Sequence, residues 1–161
     1  MSYSERTYGE VVELEPLYDE IIDLLSEKEL KLHNYIFCDY GSGTGKIINY
    51  FAKYFKQAIG FEIDKDRYVM SVISSVENTV FKNKSFFDEK IVSPSVLFLN
   101  NLCFRKGTNK RLSLKFIDEC KQNDLVISTT KMPLMECYFV KDITLECSWG
   151  KSELYIYFFI I

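Results

Sequence analysis

Leu17, Ile21, Ile22, Leu24 and Leu25 recur at helical spacing among acidic residues, which predicts an amphipathic helix from Glu15 to Leu30. The period then shortens. Tyr35 to Tyr40 is a compact apolar run stopped by the glycines of GSGTG, after which Ile47, Ile48, Phe51, Ala52 and Phe55 resume helical spacing. This reads as strand, glycine turn, helix. Downstream, the pattern predicts a strand over Gln57 to Ile63, a helix over Lys65 to Val80 and a strand over Ser95 to Leu99. A helix over Lys110 to Lys121 and a strand over Leu125 to Ser128 follow. Strands alternating with helices imply a parallel sheet covered on both faces. The tail breaks the alternation, because Ile143 to Cys147 and Glu153 to Ile161 are strand-like runs separated only by Ser148 to Ser152. An antiparallel hairpin closing the sheet is expected there.

The 161 residues are one domain's worth of chain, and no repeat or Pro/Gly-rich linker divides them. A single domain over 1–161 is expected, with a leading loop and helix over 1–34 and a Rossmann-like α/β core over 35–161. With 47% hydrophobic residues and a net charge of -3, disorder, collagen and coiled coil are excluded. The polar start MSYSERTYGE does not read as a secretory signal, and the apolar run Leu154 to Ile161 is far short of the ~20 residues that cross a bilayer. The expectation is a soluble intracellular protein without membrane contact. Five cysteines, with no C-x-x-C pair, suggest neither a zinc site nor a disulfide framework, so no metal is expected. His33, the one histidine, lies between helix and first strand, where a surface or capping role is the expectation.

Charge is unevenly spread. The first thirty residues hold nine acids against two bases, whereas 91–117 hold Arg105, Lys106, Lys110, Arg111 and Lys115 with no acid. A pI near 5.3 argues against a protein that coats long stretches of nucleic acid, so any phosphate contact by this segment is expected to be focal.

Glycines between a strand and a helix offer backbone N–H groups to a ligand. The phosphate-binding pattern G-x-x-x-x-G-K-[ST] fails, since Tyr40 replaces its first glycine and Ile47 its hydroxyl. The dinucleotide pattern G-x-G-x-x-G fails as well, with Lys46 at its third glycine. What matches is Asp39-x-Gly41-x-Gly43-x-Gly45, the first motif of S-adenosylmethionine methyltransferases, whose turn makes room for the cofactor's amino-acid end. Glu62, 17 residues after Gly45 at the end of the next strand, can accept both hydroxyls of a ribose.

Outward from this motif, the chain resembles the non-SET histone lysine methyltransferases of the "disruptor of telomeric silencing" type along nearly its whole length. Tyr8-Gly9-Glu10 resembles that family's Y-G-E-T, CDYGSGTGK from Cys38 its D-L-G-S-G-x-G, and GFEI from Gly60 its G-x-E. KSFFDE from Lys84 resembles G-D-F-L-x-E, LFLNNLCF from Leu97 resembles V-N-N-F-A-F, and CSWGK from Cys147 resembles S-W-T-G-K. The resemblance implies that Tyr8, Glu10, Asp39, Gly41, Ser42, Gly43, Gly45, Lys46, Glu62, Ser85, Phe86 and Asn100 bind S-adenosyl-L-methionine, with Phe86 stacking on adenine. It also implies that Asn100 orients the incoming amine while Phe104, Trp149 and Tyr155 line a narrow lysine channel. Aromatic walls suit that chemistry, because they exclude water and stabilise sulfonium and methylammonium groups through their ring faces.

Some positions depart from the family. Ser85 stands where the family has an acid, Val11 replaces the threonine of Y-G-E-T, and, with no counterpart of the family's helical amino-terminal region and lysine-rich flanks in these 161 residues, a minimal catalytic core is the expectation. Arg105, Lys106, Lys110 and Arg111 would then meet the substrate, a histone in a nucleosome with focal DNA contact, in a nuclear setting. Alternatives stand beside this reading: a methyltransferase of the same fold acting on RNA or a small molecule, or an inactive interaction subunit. Trp149 and Tyr155 could also be core aromatics, and Asn100-Asn101 an ordinary turn pair.

Overall fold

A computed structural model describes residues 13–160. The elements run α1 (Glu15–Glu27), β1 (Ile36–Tyr40), α2 (Lys46–Phe51), β2 (Gln57–Phe61), α3 (Lys65–Ile73), β3 (Thr79–Lys82), β4 (Ser95–Leu99), α4 (Lys106–Glu119), β5 (Leu125–Ser128), β6 (Phe139–Cys147) and β7 (Gly150–Phe158). The strands form one seven-stranded sheet in the order β3-β2-β1-β4-β5-β7-β6. The first five strands in that order are parallel, and β7 enters antiparallel to β5 and is hairpinned to β6. No described helix is long and apolar enough to cross a membrane.

Strand residues alternate between two cores, as the pleat requires. Phe37, Val96, Phe98 and Ile127 face one side and pack with Leu17 and Ile21 of α1 and Ile48 and Phe51 of α2. Cys38, Tyr40, Leu97, Leu99 and Val126 face the other and pack with Leu112 and Phe116 of α4. Both faces of β4 are fully covered, which explains why its sequence SVLFL carries no alternation of polar and apolar residues.

The structure corrects several boundaries. The expected helix over Lys65 to Val80 ends at Ile73, and the residues after it form β3. Ser74 and Ser75 donate their hydroxyls back to Met70 O and Val72 O, and Asn78 takes a positive φ of 68° while its side chain donates to Ala52 O and Phe55 O. These bonds end the helix, and the β-branched Thr79 and Val80 start the strand. Helix α4 begins at Lys106, four residues earlier than expected. The hairpin is longer and tighter than its hydrophobic pattern suggests. Cys147 pairs with Gly150 around a two-residue turn of Ser148 and Trp149, with Gly150 at φ 115° supplying the left-handed conformation.

The start of β4 is tied to β5 through one buried acid. Asp124 accepts from the backbone N–H groups of Ser95 and Lys121, both at 2.8 Å, and from the Ser93 hydroxyl. Asp124→Ala strands three donors, so unfolding free energy from denaturant titration should fall by about 3 kcal/mol. A loss under about 1 kcal/mol would show that water replaces the carboxylate.

Candidate functional site

The parallel strands β1, β2 and β4 end on one edge of the sheet, where ligands of open α/β folds bind. At this edge Asp39 and Tyr40 lead into the glycine turn. Gly41 N–H and Ser42 N–H both donate to Phe61 O at 2.9 Å, folding the turn over the end of β2. Gly45 has φ 88°, and a Cβ there would lie 2.7 Å from the Phe81 ring and 3.1 Å from Ser71 Cβ, so both the backbone conformation and the space require glycine. Gly60 is needed for another reason, since a Cβ there would come within 2.6 Å of Ser42 Oγ. Lys46 opens α2 with its side chain exposed.

Glu62 holds this edge together. Its Oε1 accepts from Gly43 N–H at 2.8 Å and its Oε2 from Asp64 N–H at 2.9 Å, while Asn83 Nδ2 donates to its main-chain oxygen at 2.8 Å. Each carboxylate oxygen accepting one N–H keeps a further acceptor direction, and the side chain lines a cavity. Asp39, registered beside Gly60, is buried, and its carboxyl is pushed up to about 8, first by burial and then by the Glu62 carboxylate. Asp39 is therefore neutral near pH 7.

The cavity has a volume of about 630 Å³. Its floor is Gly41, Phe61 and Glu62, its apolar wall is Phe86, Phe87 and Phe104, and its rim carries Asp64, Arg67, Lys84 and Arg105. Phe86 belongs to a ladder of rings. It stacks on Tyr40 with centroids 4.8 Å apart and planes 6° apart, Tyr40 in turn stacks on Phe116, and Phe104 stands 6.1 Å from Phe86 on the cavity side. A flat ring inserted between Phe86 and Phe104 needs about 7 Å, two contact distances, so Phe104 has to give way by about 1 Å. Ser85 accepts from Phe87 N–H at 3.2 Å and caps the turn carrying both phenylalanines.

After β4 the two asparagines part in role. Asn101 is fully buried: its N–H donates to Thr129 Oγ1, its Oδ1 accepts from Thr130 N–H at 2.9 Å and from Thr129 Oγ1 at 3.1 Å, and its Nδ2 donates to Asn109 Oδ1 at 3.1 Å. It locks the β4 and β5 loops to α4. Asn100 Oδ1 is 3.0 Å from Thr129 Oγ1, placing it at the ends of β4 and β5 beside the cavity rather than in its lining.

The residues expected to form a lysine channel fall on three separate segments. Phe104 lines the cavity, but Tyr155 lies opposite Ser128 on β7, donates to Glu153 at 2.8 Å and packs near Phe139 and Lys131. Trp149 sits at the tip of the hairpin, which overruns the end of β5. Arg105 precedes α4 on the rim, Lys106 and Lys110 are exposed on that helix, and Arg111 lies 4.0 Å over the Phe87 ring. Tyr8 and Glu10 lie outside the described residues.

Sequence reading missed Phe61, Ile63, Asp64, Arg67, Lys84, Phe87, Cys103 and Thr108 as lining residues. Most of them fall within a few residues of a strand's carboxyl end, a rule that would have found those after β2 and β3 once β3 was recognised.

No protein-family model matches this chain, and no curated protein does. Solved structures do resemble it. An RNA methyltransferase from Salinibacter ruber, in complex with S-adenosyl-L-homocysteine, superposes with a TM-score of 0.66 over 88% of this chain and 91% of that one, at 18% identity. The N-methyltransferase NodS from Bradyrhizobium japonicum gives 0.68 over 91% and 96% at 6% identity. Magnesium protoporphyrin IX methyltransferase from Synechocystis, with bound S-adenosylmethionine, gives 0.63 over 88% and 77% at 8% identity. The architecture is thus the Rossmann-like fold of the class I methyltransferases, with its antiparallel closing hairpin.

Proposed function

We propose that this chain is an S-adenosylmethionine-dependent methyltransferase. The observation that carries the reading is Glu62, a carboxylate braced by Gly43 and Asp64 N–H groups in the floor of a 630 Å³ aromatic-walled cavity. The donor set suits the cofactor: Glu62 retains acceptor directions for two ribose hydroxyls, Asp39 can ionise beside a cationic group, and Phe86 with Phe104 can enclose a flat ring. When bound, the cofactor supplies a methyl group activated on a sulfonium. The protein's own share is to hold and align the partners and keep water out, which is where most of the acceleration of an in-line displacement arises. Asn100, at the strand ends beside the cavity, is assigned to orienting the acceptor.

For the acceptor, RNA or a small molecule fits better than a histone lysine. The structural neighbours include an RNA methyltransferase, a rRNA methylase from Streptococcus thermophilus and magnesium protoporphyrin IX methyltransferase, and of Phe104, Trp149 and Tyr155, which a lysine channel would draw on, Phe104 alone lines the cavity. Lys106, Lys110 and Arg111, clustered beside the cavity, favour RNA of the two. Methyl-labelled cofactor offered side by side with RNA, small amines and nucleosomes should place label in RNA. Label in histone lysines would reinstate the substrate that sequence resemblance implies, and absence of S-adenosylhomocysteine binding would remove the enzymatic reading altogether. Lys106→Glu with Lys110→Glu should lower RNA methylation about tenfold at low salt, with a smaller loss at high salt and unchanged S-adenosylhomocysteine binding. Equal activity of variant and wild type at low salt would show that RNA approaches elsewhere.

A further inference from the structure

Two bases of the acid-free segment 91–117 are turned toward the protein rather than spent on its charge. Lys115 is only 9% exposed, and a lysine is buried only where its charge is met. Its Nζ donates to Glu89 O and to both carboxylate oxygens of Glu119, the latter at 2.8 and 3.0 Å. Glu119 Oε1 also accepts from Ile91 N–H at 2.9 Å. One turn earlier on the same stripe of α4, the Arg111 guanidinium lies 4.0 Å over the Phe87 ring. Positions 111, 115 and 119 of the helix thus meet positions 87, 89 and 91 of the loop between β3 and β4. From Glu89, whose backbone is extended, two residues advance about 6.6 Å and four helical residues about 6 Å, so helix and loop keep in step.

The loop is fastened on its other side as well. The Glu89 carboxylate accepts from Lys82 Nζ at 2.7 Å and from Lys84 Nζ at 2.8 Å, and Phe86 stacks on Tyr40. Because the space between Phe86 and Phe104 is short of what a flat ring needs, one wall has to yield. The fastened wall is the one that carries Phe86 and Phe87.

We propose that Arg111, Lys115 and Glu119 are positioning residues for the ring end of the ligand: they clamp the loop bearing Phe86 and Phe87, so that Phe104 is the wall that moves. The inference deepens the methyltransferase reading and rests on it for the identity of the ring, adenine. None of the three lines the cavity, so each acts through the loop residue it holds. The charge of Arg111 still adds to the field of Lys106 and Lys110, while its plane belongs to the wall. A loop held in place before the ligand arrives spares binding the cost of ordering it, and the gain appears as affinity.

The test compares wild type, Arg111→Met, and Lys115→Met combined with Glu119→Gln. The double change replaces a buried ion pair by groups of similar size, which folds tolerate, and the glutamine keeps an acceptor for Ile91 N–H. Without ligand, the amides of Phe87 and Asp88, both bonded to Ser85 within the loop, should exchange hydrogen about tenfold faster in the double variant and about threefold faster in Arg111→Met. Affinity for S-adenosylhomocysteine in calorimetry should fall by about the same factors, with the melting temperature unchanged. Arg111→Lys should recover most of the affinity, and Arg111→Met should change nothing further once Phe87→Leu has removed the ring it acts through. Unchanged exchange at Phe87 and Asp88 in the double variant overturns the clamp, as does unchanged affinity in both variants. An Arg111→Met loss that persists in full beside Phe87→Leu, or that falls on RNA binding alone, overturns it equally. A wild type that binds no S-adenosylhomocysteine sinks the methyltransferase reading, and the exchange comparison still decides the clamp.

Discussion

Glu62→Ala is expected to abolish measurable binding of S-adenosylhomocysteine in calorimetry, a loss of at least a hundredfold. Two effects add. The carboxylate is the acceptor for a ribose diol, and charge-assisted hydrogen bonds contribute about 1.5–3 kcal/mol each. It is also the brace of the glycine turn, because Gly43 N–H and Asp64 N–H both donate to it, so alanine leaves those donors without a partner and frees the loop that forms the cavity floor. Glu62→Gln separates the contributions. Its carbonyl can keep the bond from Gly43, but its NH₂ cannot accept from Asp64 N–H, so binding should fall to an intermediate value. Affinity within twofold of wild type for the alanine variant would remove Glu62 from the ligand site.

The parts of this picture that were legible in the sequence are those where local pattern and tertiary demand coincide. Asp39-x-Gly41-x-Gly43-x-Gly45 follows a short apolar strand because left-handed backbone at all three glycines and the tight fit at Gly45 permit nothing else, and Glu62 follows from the same unit. The parallel order of the first strands could be read from alternating periods. Strand β3 could not, since Thr79–Lys82 is four half-buried residues whose apolar members continue the helical spacing of α3, and the break is made by Ser74, Ser75 and Asn78 through side-chain bonds that no hydrophobic pattern records. The Asn100-Asn101 pair was visible, but the division of labour within it was not. Asn101's role depends on Thr129, Thr130 and Asn109, up to 29 residues away in sequence. The channel of Phe104, Trp149 and Tyr155 is a different case, since of the three Phe104 alone lines the cavity. Its members were joined by resemblance, and the register of β7 against β5 sets Tyr155 beside Ser128, two strands from β4.

Asp39 should make cofactor binding strongly dependent on pH, in a sense fixed by its surroundings. Burial, reinforced by the Glu62 carboxylate, keeps its proton on up to about pH 8, whereas the unfolded chain releases it near pH 4. Between these values the folded protein holds a proton that the unfolded chain has lost, so stability without ligand declines as pH rises through that window. A ligand that brings a cationic amine or sulfonium to the glycine turn reverses the preference and draws Asp39 into its ionised form. Binding then expels a proton, and the affinity for S-adenosylhomocysteine, whose amine remains cationic, is expected to climb close to tenfold per pH unit from about 6 to about 8 and to level off above. Asp39→Asn removes the titrating group with almost no change of volume. Its affinity should be flat over the same range and below that of wild type at pH 8.5, and its stability without ligand should lose the downward slope. Calorimetry in buffers of different ionisation enthalpy provides the direct check, since wild type should release close to one proton per ligand at pH 7 and the variant close to none. A wild-type affinity that does not change between pH 6 and pH 8 would place Asp39 outside the reach of the ligand's charge.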